Sequence, residues 1–111
     1  EEKDDYVGQL MRFIQKGGSR DDQLVERLLF AAMIEARSCE RFRLLSESLK
    51  DKKLADFYRE LMVSEASHYK LFLNFAKKYA DKTNVEKRWK EWLEGEGKIV
   101  ASFGKSETIH G

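Results

Sequence analysis

Three side chains in the middle of the chain could together hold a metal ion. Glu35 lies in one long stretch of helical spacing, and Glu65 and His68 lie in the next. The last two residues form a Glu-x-x-His motif, which puts a carboxylate and an imidazole on one face of a helix. Carboxylate oxygens and an imidazole nitrogen are ligands that suit iron or manganese. These residues are therefore the first candidates for chemistry.

Each candidate interrupts a seam of largely apolar residues that is spaced in alternating steps of four and three. Such spacing places the residues along one side of a helix, facing a partner helix. The first seam comprises Leu24, Leu28, Ala31, Glu35, Ser38, Phe42, Leu45 and Leu49. The second comprises Leu54, Tyr58, Leu61, Glu65, His68, Phe72, Phe75 and Tyr79. A carboxylate in an apolar interior is costly unless it is paired or metal-bound, so the seams predict a polar site within the helix pair.

Helix rise brings the two glutamates to the same level. Lys50, Asp51 and Lys52 form a tight polar turn, which makes the two long helices an antiparallel hairpin. Glu35 lies fifteen residues before Lys50 and Glu65 lies fourteen after Asp51. These separations correspond to about 22 Å and about 21 Å at ~1.5 Å per residue. One Glu opposite a Glu-x-x-His is half of the ligand set of a di-iron helix bundle.

Other interpretations of these residues stay open. A Glu-x-x-His also occurs by chance, and Glu35 could instead form a salt bridge with Arg37 or Arg41. Glu40 is a rival to Glu35, but it lies about 140° round the helix and about 6 Å off the level of the opposite glutamate. Cys39, beside the seam, is expected to be a small buried residue and not a ligand.

The rest of the chain predicts an all-α fold of four helical segments in a single domain spanning 1–111. The 111 residues contain no proline, which favours long helices. Capping boxes at 19–22 and 83–86 and an N-cap at Asp51 mark helix starts. The expected helices run over about 5–16, 19–49 and 51–80, with a last helix that starts at 83–86 and fades near Gly95–Gly97. The tail from 101 to 111 has no clear period, and nothing indicates a strand.

Composition narrows the setting of the protein. The formal net charge is +1, so overall charge gives no strong attraction to nucleic acid or to a membrane. A single cysteine excludes an intramolecular disulfide and suits a reducing cytoplasm. No apolar run of 18 residues is present, so no membrane association is expected.

The segments around the three candidate ligands resemble the tRNA hydroxylase family called MiaE. The resemblance rests on the segments Gln23–Leu29, Ile34–Phe42, Leu54–Leu61 and Ser64–Tyr69. It is specific over roughly Gln23 to Ala76, about half of the chain, and weaker toward the C-terminus. His110 could correspond to a His near the end of family members, and no role is assigned to it.

The resemblance implies a ferritin-like, non-haem di-iron monooxygenase. Such an enzyme hydroxylates the isopentenyl group of 2-methylthio-isopentenyladenosine in tRNA, next to the anticodon, with two iron ions, dioxygen and an electron donor or reductase. Glu35, Glu65 and His68 would hold iron. Family members carry a second Glu and another Glu-x-x-His on two upstream helices. We therefore expect the C-terminal part of a longer protein, the second half of a four-helix bundle, with a homodimer of this chain as the alternative.

Two other functions fit parts of the pattern. A ferritin- or rubrerythrin-like protein that stores iron or handles peroxide would share the ligands, and a metal-free helical interaction domain would use them in salt bridges. Basic and aromatic residues near the third and fourth helices could contact RNA phosphates and bases. They are Lys77, Lys78, Lys82, Lys87, Arg88, Lys90, Trp89 and Trp92. Because glutamates interleave with them, the alternative is a solvated helix with buried tryptophans.

Overall fold

The computed structural model describes residues 5–110, with side chains described as far as Phe103. These residues form four helices, α1 (Tyr6–Arg12), α2 (Arg20–Ser48), α3 (Lys52–Tyr79) and α4 (Val85–His110). Within this part of the chain there is no strand, so the predicted all-α class is confirmed. None of these helices is apolar over a length that would cross a bilayer.

Each helix begins at a side chain that accepts a hydrogen bond from an amide of the first turn. Asp5, Ser19 and Asp51 do so at 2.7, 3.1 and 3.1 Å, which confirms Asp51 as an N-cap. At the start of α4 the cap is Asn84, whose side-chain oxygen accepts from the Lys87 amide at 3.1 Å. The expected box at 83–86 is therefore displaced by one residue.

The long helices α2 and α3 form the predicted antiparallel hairpin, while α1 and α4 pack against one side of α2. The buried core lies in that second contact and contains Leu10, Val25, Leu29, Met33, Ala76, Val85 and Trp92. The seams do meet near the turn at 50–52, where the rings of Phe42 and Tyr58 stack with centroids 5.8 Å apart. Toward the other end of the hairpin, however, Leu24 and Tyr79 are 40 % and 43 % exposed. The seams therefore form a partly open side of the hairpin.

The C-terminal helix is longer than the sequence indicated. Gly95 and Gly97 lie inside α4, which continues to His110. At Gly95 an added Cβ would lie 2.7 Å from Cε1 of Phe13, so this glycine makes room for a ring. That ring also meets Trp92 edge-on, with centroids 5.0 Å apart. The expected end of the helix at these glycines is wrong, because packing and not termination explains Gly95. The side chain of His110 lies outside the described residues.

The first helix is shorter than expected. It ends at Arg12 instead of Lys16, and the chain turns back toward α2 through Gly17 and Gly18. These glycines have φ values of +90° and +81°, the left-handed region that side chains with a Cβ rarely adopt. Residues 13–18 consequently form a curved loop, called the arch below, that leads directly into the start of α2.

Two acidic residues on α2 fix the other elements to it. Glu26 pairs with Arg88 of α4 through Nε and Nη2, at 2.7 and 2.8 Å, with both side chains buried. Its carboxylate also accepts from the Gln15 amide at 2.9 Å. Asp22 accepts three backbone amides of the loop 81–83 at 3.0–3.2 Å. Although partial burial acts to raise it, these hydrogen bonds lower the pKa of Asp22 to about 2.

Candidate metal centre

The structure brings the three predicted ligands together across the hairpin. Glu35 lies midway along α2, and Glu65 and His68 lie one turn apart on the facing side of α3. One potential ligand atom from each residue falls within 4.8 Å of the others. The juxtaposition expected from helix rise and the alternating spacing is therefore present. Because both parent helices are long and capped, the backbone that carries the cluster is held in place.

The cluster is only partly shielded from water. The Glu65 side chain is 21 % exposed and the His68 side chain is 51 % exposed, while Nδ1 of His68 lies 3.3 Å from Oε1 of Glu65. The imidazole thus occupies the outer edge of the cluster and the two carboxylates the inner part. This arrangement leaves one side of the site open, where further ligands or a substrate could approach.

In the metal-free state the Glu35 carboxyl keeps its proton up to about neutral pH. A hydrogen bond with Glu65, followed by burial and by the negative charge of Glu65, raises the pKa of Glu35 from 4.5 to about 7, and His68 opposes the rise. Two neighbouring carboxylates cannot both ionise cheaply without a cation. A metal ion in the place of that proton would remove the repulsion. Two carboxylate oxygens and one imidazole nitrogen are a donor set that fits iron or manganese, with coordination positions left for further ligands.

The rival residues are engaged elsewhere. Glu40 forms an ion pair with Arg43 on its own helix, and this hydrogen bond lowers the pKa of Glu40. Arg37 pairs with the buried Glu96 of α4. Among the described residues neither Arg37 nor Arg41 pairs with Glu35, so the structure gives no support to the salt-bridge interpretation of Glu35.

A triad around the buried Glu96, behind the site, joins α1, α2 and α4. Glu96 accepts hydrogen bonds from the Arg37 guanidinium, with Nε at 2.7 Å, and from the Tyr6 hydroxyl at 3.0 Å. Burial, followed by the charge and the hydrogen bond of Glu96, raises the pKa of Tyr6 to about 12. Tyr6 therefore stays protonated and donates to the carboxylate at physiological pH. This triad fixes the segment of α2 that carries Glu35.

Cys39 contributes to packing and is not part of the ligand cluster. Its thiol donates to the carbonyl oxygen of Met62 at 3.5 Å, across the hairpin, and burial raises its pKa. A thiol whose pKa is raised carries little thiolate, which is the form that binds metal. Cys39 is only partly buried, but as expected it lies outside the candidate ligand group.

Some of the residues expected to contact RNA are buried in the structure, and others are exposed. Arg88 and Trp92 are 8 % and 0 % exposed, because Arg88 pairs with Glu26 and Trp92 packs in the core. Those two residues cannot reach RNA, so their assignment to an RNA contact is wrong. Trp89 is half-buried, with its ring 5.9 Å from that of Tyr69. The exposed members that remain are Lys77, Lys78, Lys82, Lys87 and Lys90.

The two buried carboxylates Glu26 and Glu96 are not among the residues predicted from the sequence, although a signal for Glu96 is present. On α4 the positions Trp92, Glu96 and Ile99 follow the same alternating steps of four and three that identified Glu35. Extending that test to the last helix would have placed Glu96 on a buried face. The spacing alone does not identify Arg37, the arginine on another helix that neutralises Glu96.

Comparison with known proteins identifies the family. The family model described as tRNA-(MS[2]IO[6]A)-hydroxylase (MiaE) matches residues 3–111. The chain belongs to the MiaE family. This result confirms the resemblance seen around the candidate ligands and is consistent with the expected ferritin-like helix bundle.

Two curated proteins are similar to parts of this MiaE chain. A tRNA 2-(methylsulfanyl)-N(6)-isopentenyladenosine(37) hydroxylase of Pseudomonas putida is 46 % identical over 63 residues, covering 57 % of this chain and 30 % of that protein. A hydroxylase of the same name from Salmonella typhimurium is 36 % identical over 87 residues, covering 78 % of this chain and 32 % of that protein. The chain thus spans about a third of the length of the curated relatives that it matches. No solved structure matches the chain significantly.

Proposed function

We propose that this chain is the part of a tRNA hydroxylase that carries one Glu and one Glu-x-x-His of its di-iron centre. The proposed reaction hydroxylates the isopentenyl group of 2-methylthio-isopentenyladenosine beside the anticodon. Family membership and the names of the two relatives support the reaction class. The observation that carries the proposal for this chain is the convergence of Glu35, Glu65 and His68 within 4.8 Å. A tRNA substrate would also place the reaction in the cytoplasm.

Glu35, Glu65 and His68 are the residues that would hold iron. When bound, iron supplies the activation of dioxygen, with electrons from a donor or reductase. The residues of the chain would bind the metal ion and neutralise its charge. The two carboxylates would balance the positive charge, and the imidazole would complete the donor set. Loading would displace the proton of Glu35, so metal affinity should rise with pH. The exposed edge near His68 is the side on which a prenyl group could approach.

A complete centre needs ligands from a second helix pair. The seams that flank the cluster are partly open, and Leu24 and Leu54 are 40 % and 42 % exposed along them. Because the matched relatives are about three times as long as their matched segments, we propose that an upstream helix pair of the full protein covers this side and supplies the other Glu and Glu-x-x-His. A homodimer of this chain is the alternative that a measurement of mass in solution would reveal.

The metal proposal is tested by titrating the chelator-treated chain with Fe(II) without oxygen and counting bound metal. We expect Glu35→Gln and His68→Ala to weaken binding by at least roughly tenfold, as loss of a metal ligand does. Glu40→Gln is the matched control, because Glu40 lies on the same helix and pairs with Arg43. Equal iron binding by the native chain and both ligand variants would support the metal-free interaction domain instead.

The reaction is tested with the full-length protein and its Glu35→Gln variant in cells that lack the native enzyme. We expect the hydroxylated nucleoside to return with the native protein and with Glu40→Gln, and not with Glu35→Gln. If the variant restores the nucleoside fully, Glu35 is not required and the assignment is wrong. If purified protein oxidises Fe(II) or consumes peroxide while tRNA remains unmodified, the ferritin- or rubrerythrin-like function is the correct one.

A further inference from the structure

A basic cleft lies between the end of α1 and the start of α2, apart from the metal centre. Its volume is about 630 Å³, and the arch that leads from α1 to α2 forms one wall. Lys16 and Arg27 line it together with Arg12 and the apolar Met11 and Ile14, and no carboxylate among the described residues does so. In a chain whose formal net charge is only +1, Lys16 and Arg27 at one cleft are a local concentration of positive charge.

Two cations of this cleft, Lys16 and Arg27, are not neutralised by the part of the chain that the structure describes. Lys16 and Arg27 are exposed and have no ion-pair partner among the described residues. The neighbouring carboxylates on α2 are already engaged: Glu26 pairs with Arg88, and Asp22 accepts the loop amides at 81–83. The cleft is therefore an electrostatic site that favours an anion.

The apolar part of the cleft indicates more than a small anion. Met11 is 52 % exposed beside the cations, whereas Ile14 packs partly against the core and forms the floor. A flexible thioether next to positive charges suits a flat, polarisable group attached to a phosphate. A nucleotide unit of single-stranded RNA has that chemistry, with a phosphate for the cations and a base for the apolar surface.

The position of the cleft relative to the metal centre fits one RNA strand that reaches both. Arg27 precedes Glu35 by eight residues on α2, which corresponds to about 12 Å along the axis and about 80° round the helix. A few nucleotides of an extended strand span such a distance. An enzyme that acts on one base in a tRNA loop needs backbone contacts beside the reacting base, because these contacts fix the strand while the base enters the site.

We propose that this cleft binds the RNA strand of the substrate beside the modified nucleotide, with Lys16 and Arg27 on its phosphates and Met11 against a base. The inference rests on the proposed function, since it assumes that tRNA is the substrate. It assigns the substrate contact to the α1–α2 cleft in addition to any contact by the exposed lysines near α4.

The test measures binding of an end-labelled anticodon stem-loop RNA by fluorescence anisotropy at several salt concentrations. For Lys16→Gln/Arg27→Gln we expect a dissociation constant roughly three to ten times higher, as two exposed charge contacts give. The slope of log affinity against log salt should fall by about 1.4, at ~0.7 per phosphate contact on a single strand. The matched control is Lys50→Gln/Lys53→Gln, which removes equal charge at the opposite end of α2.

A second variant separates an RNA site from a small-anion site. Met11→Ser keeps all charges, and we expect it to weaken RNA binding by roughly threefold through lost base contact. If inorganic phosphate at low millimolar concentration displaces the RNA, or if Met11→Ser binds RNA as the native chain does, the cleft is a small-anion site and the RNA assignment is wrong. Circular dichroism confirms that each variant keeps its helices.

The outcomes distinguish failure of this inference from failure of the proposed function. If the native chain binds RNA and the Lys16→Gln/Arg27→Gln variant binds it equally well, the cleft inference fails while a tRNA substrate stands. If Lys50→Gln/Lys53→Gln weakens binding as much as the cleft variant, the effect is one of total charge and the inference also fails. If the native chain does not bind the RNA, the cleft inference is overturned, whereas nucleoside analysis in cells still decides the reaction.

Discussion

Replacing Glu35 by glutamine should stabilise the metal-free chain at neutral and higher pH while it impairs metal binding. In the native fold the Glu35 carboxyl retains its proton up to about pH 7, whereas in the unfolded chain it loses that proton near pH 4.5. The folded state therefore binds more protons than the unfolded state between these values, and its stability falls as pH rises. The contribution of this proton is fully present below pH 4.5 and lost above about pH 7.

The size of the effect follows from the pKa displacement. A rise from 4.5 to about 7 corresponds to at most about 3 kcal/mol, at ~1.36 kcal/mol per pKa unit. Because Glu65 is 21 % exposed and water screens the repulsion, we expect about 1 to 2 kcal/mol. Glutamine cannot ionise, and its amide can donate to Glu65 as the protonated carboxyl does. The variant should thus lack this loss of stability.

The measurement is urea unfolding followed by circular dichroism, with a chelator present, below pH 4.5 and above pH 7. We expect the native chain and Glu35→Gln to differ little at the lower pH and by about 1 to 2 kcal/mol at the higher pH. Fe(II) or Mn(II) in hundredfold excess over the native dissociation constant should then raise the native stability by about 2.7 kcal/mol, and that of the variant, which binds at least roughly tenfold more weakly, by at most about 1.4 kcal/mol. Glu40→Gln should follow the native chain in both experiments. Parallel pH dependence of the native chain and Glu35→Gln would refute the raised pKa of Glu35 in the folded chain.

Three further predictions concern the packing that supports the site. Arg88→Met should lower the free energy of unfolding by about 3 to 5 kcal/mol in urea, because it leaves a buried carboxylate unpaired. Adding Glu26→Met should recover most of that loss. A coupling energy near zero in this double-mutant cycle would contradict the prediction. Asp22→Asn should speed amide hydrogen exchange in the loop 81–83, because it weakens the hydrogen bonds that hold this loop. It should also remove the loss of stability that the native chain shows as pH falls from 3.8 to about 2. Unchanged exchange would refute the role of Asp22 in holding the loop. Gly95→Ala should destabilise by about 1 to 3 kcal/mol through a clash with an aromatic ring, whereas Gly97→Ala, which meets nothing within 4 Å, should stabilise by up to about 1 kcal/mol.

The sequence predicts the hairpin and the level of its site because both follow from local regularities. Helix rise and the turn at 50–52 place Glu35 opposite Glu65 without reference to any other element. The caps at Ser19 and Asp51 depend on one hydrogen bond three residues away, so they too can be inferred locally. Features that obey helix geometry alone are thus the ones that sequence reasoning recovers.

The remaining errors come from contacts between elements that are distant in sequence. Gly95 looks like a helix end, but the Phe13 ring that occupies its vacant Cβ position belongs to a segment more than eighty residues earlier. Arg88 looks like a solvated RNA contact, but its carboxylate partner lies 62 residues away on α2. In both cases local composition was consistent with the wrong interpretation, and only the tertiary packing of α1 and α4 on α2 decides between them.

The partners of the chain's glutamate side chains support a cation site in the hairpin. The buried Glu26 and Glu96 each receive a guanidinium from another helix, so their charges are neutralised within the fold. Among the described residues, Glu35 and Glu65 have no guanidinium partner, and the ionisable groups beside them are each other and His68. Two partly buried glutamates that face each other beside an imidazole, in a chain that neutralises its buried glutamates with arginines, support the proposed metal site. A cation between the two carboxylate oxygens and the ring nitrogen would take the place of the proton that Glu35 holds in the metal-free chain.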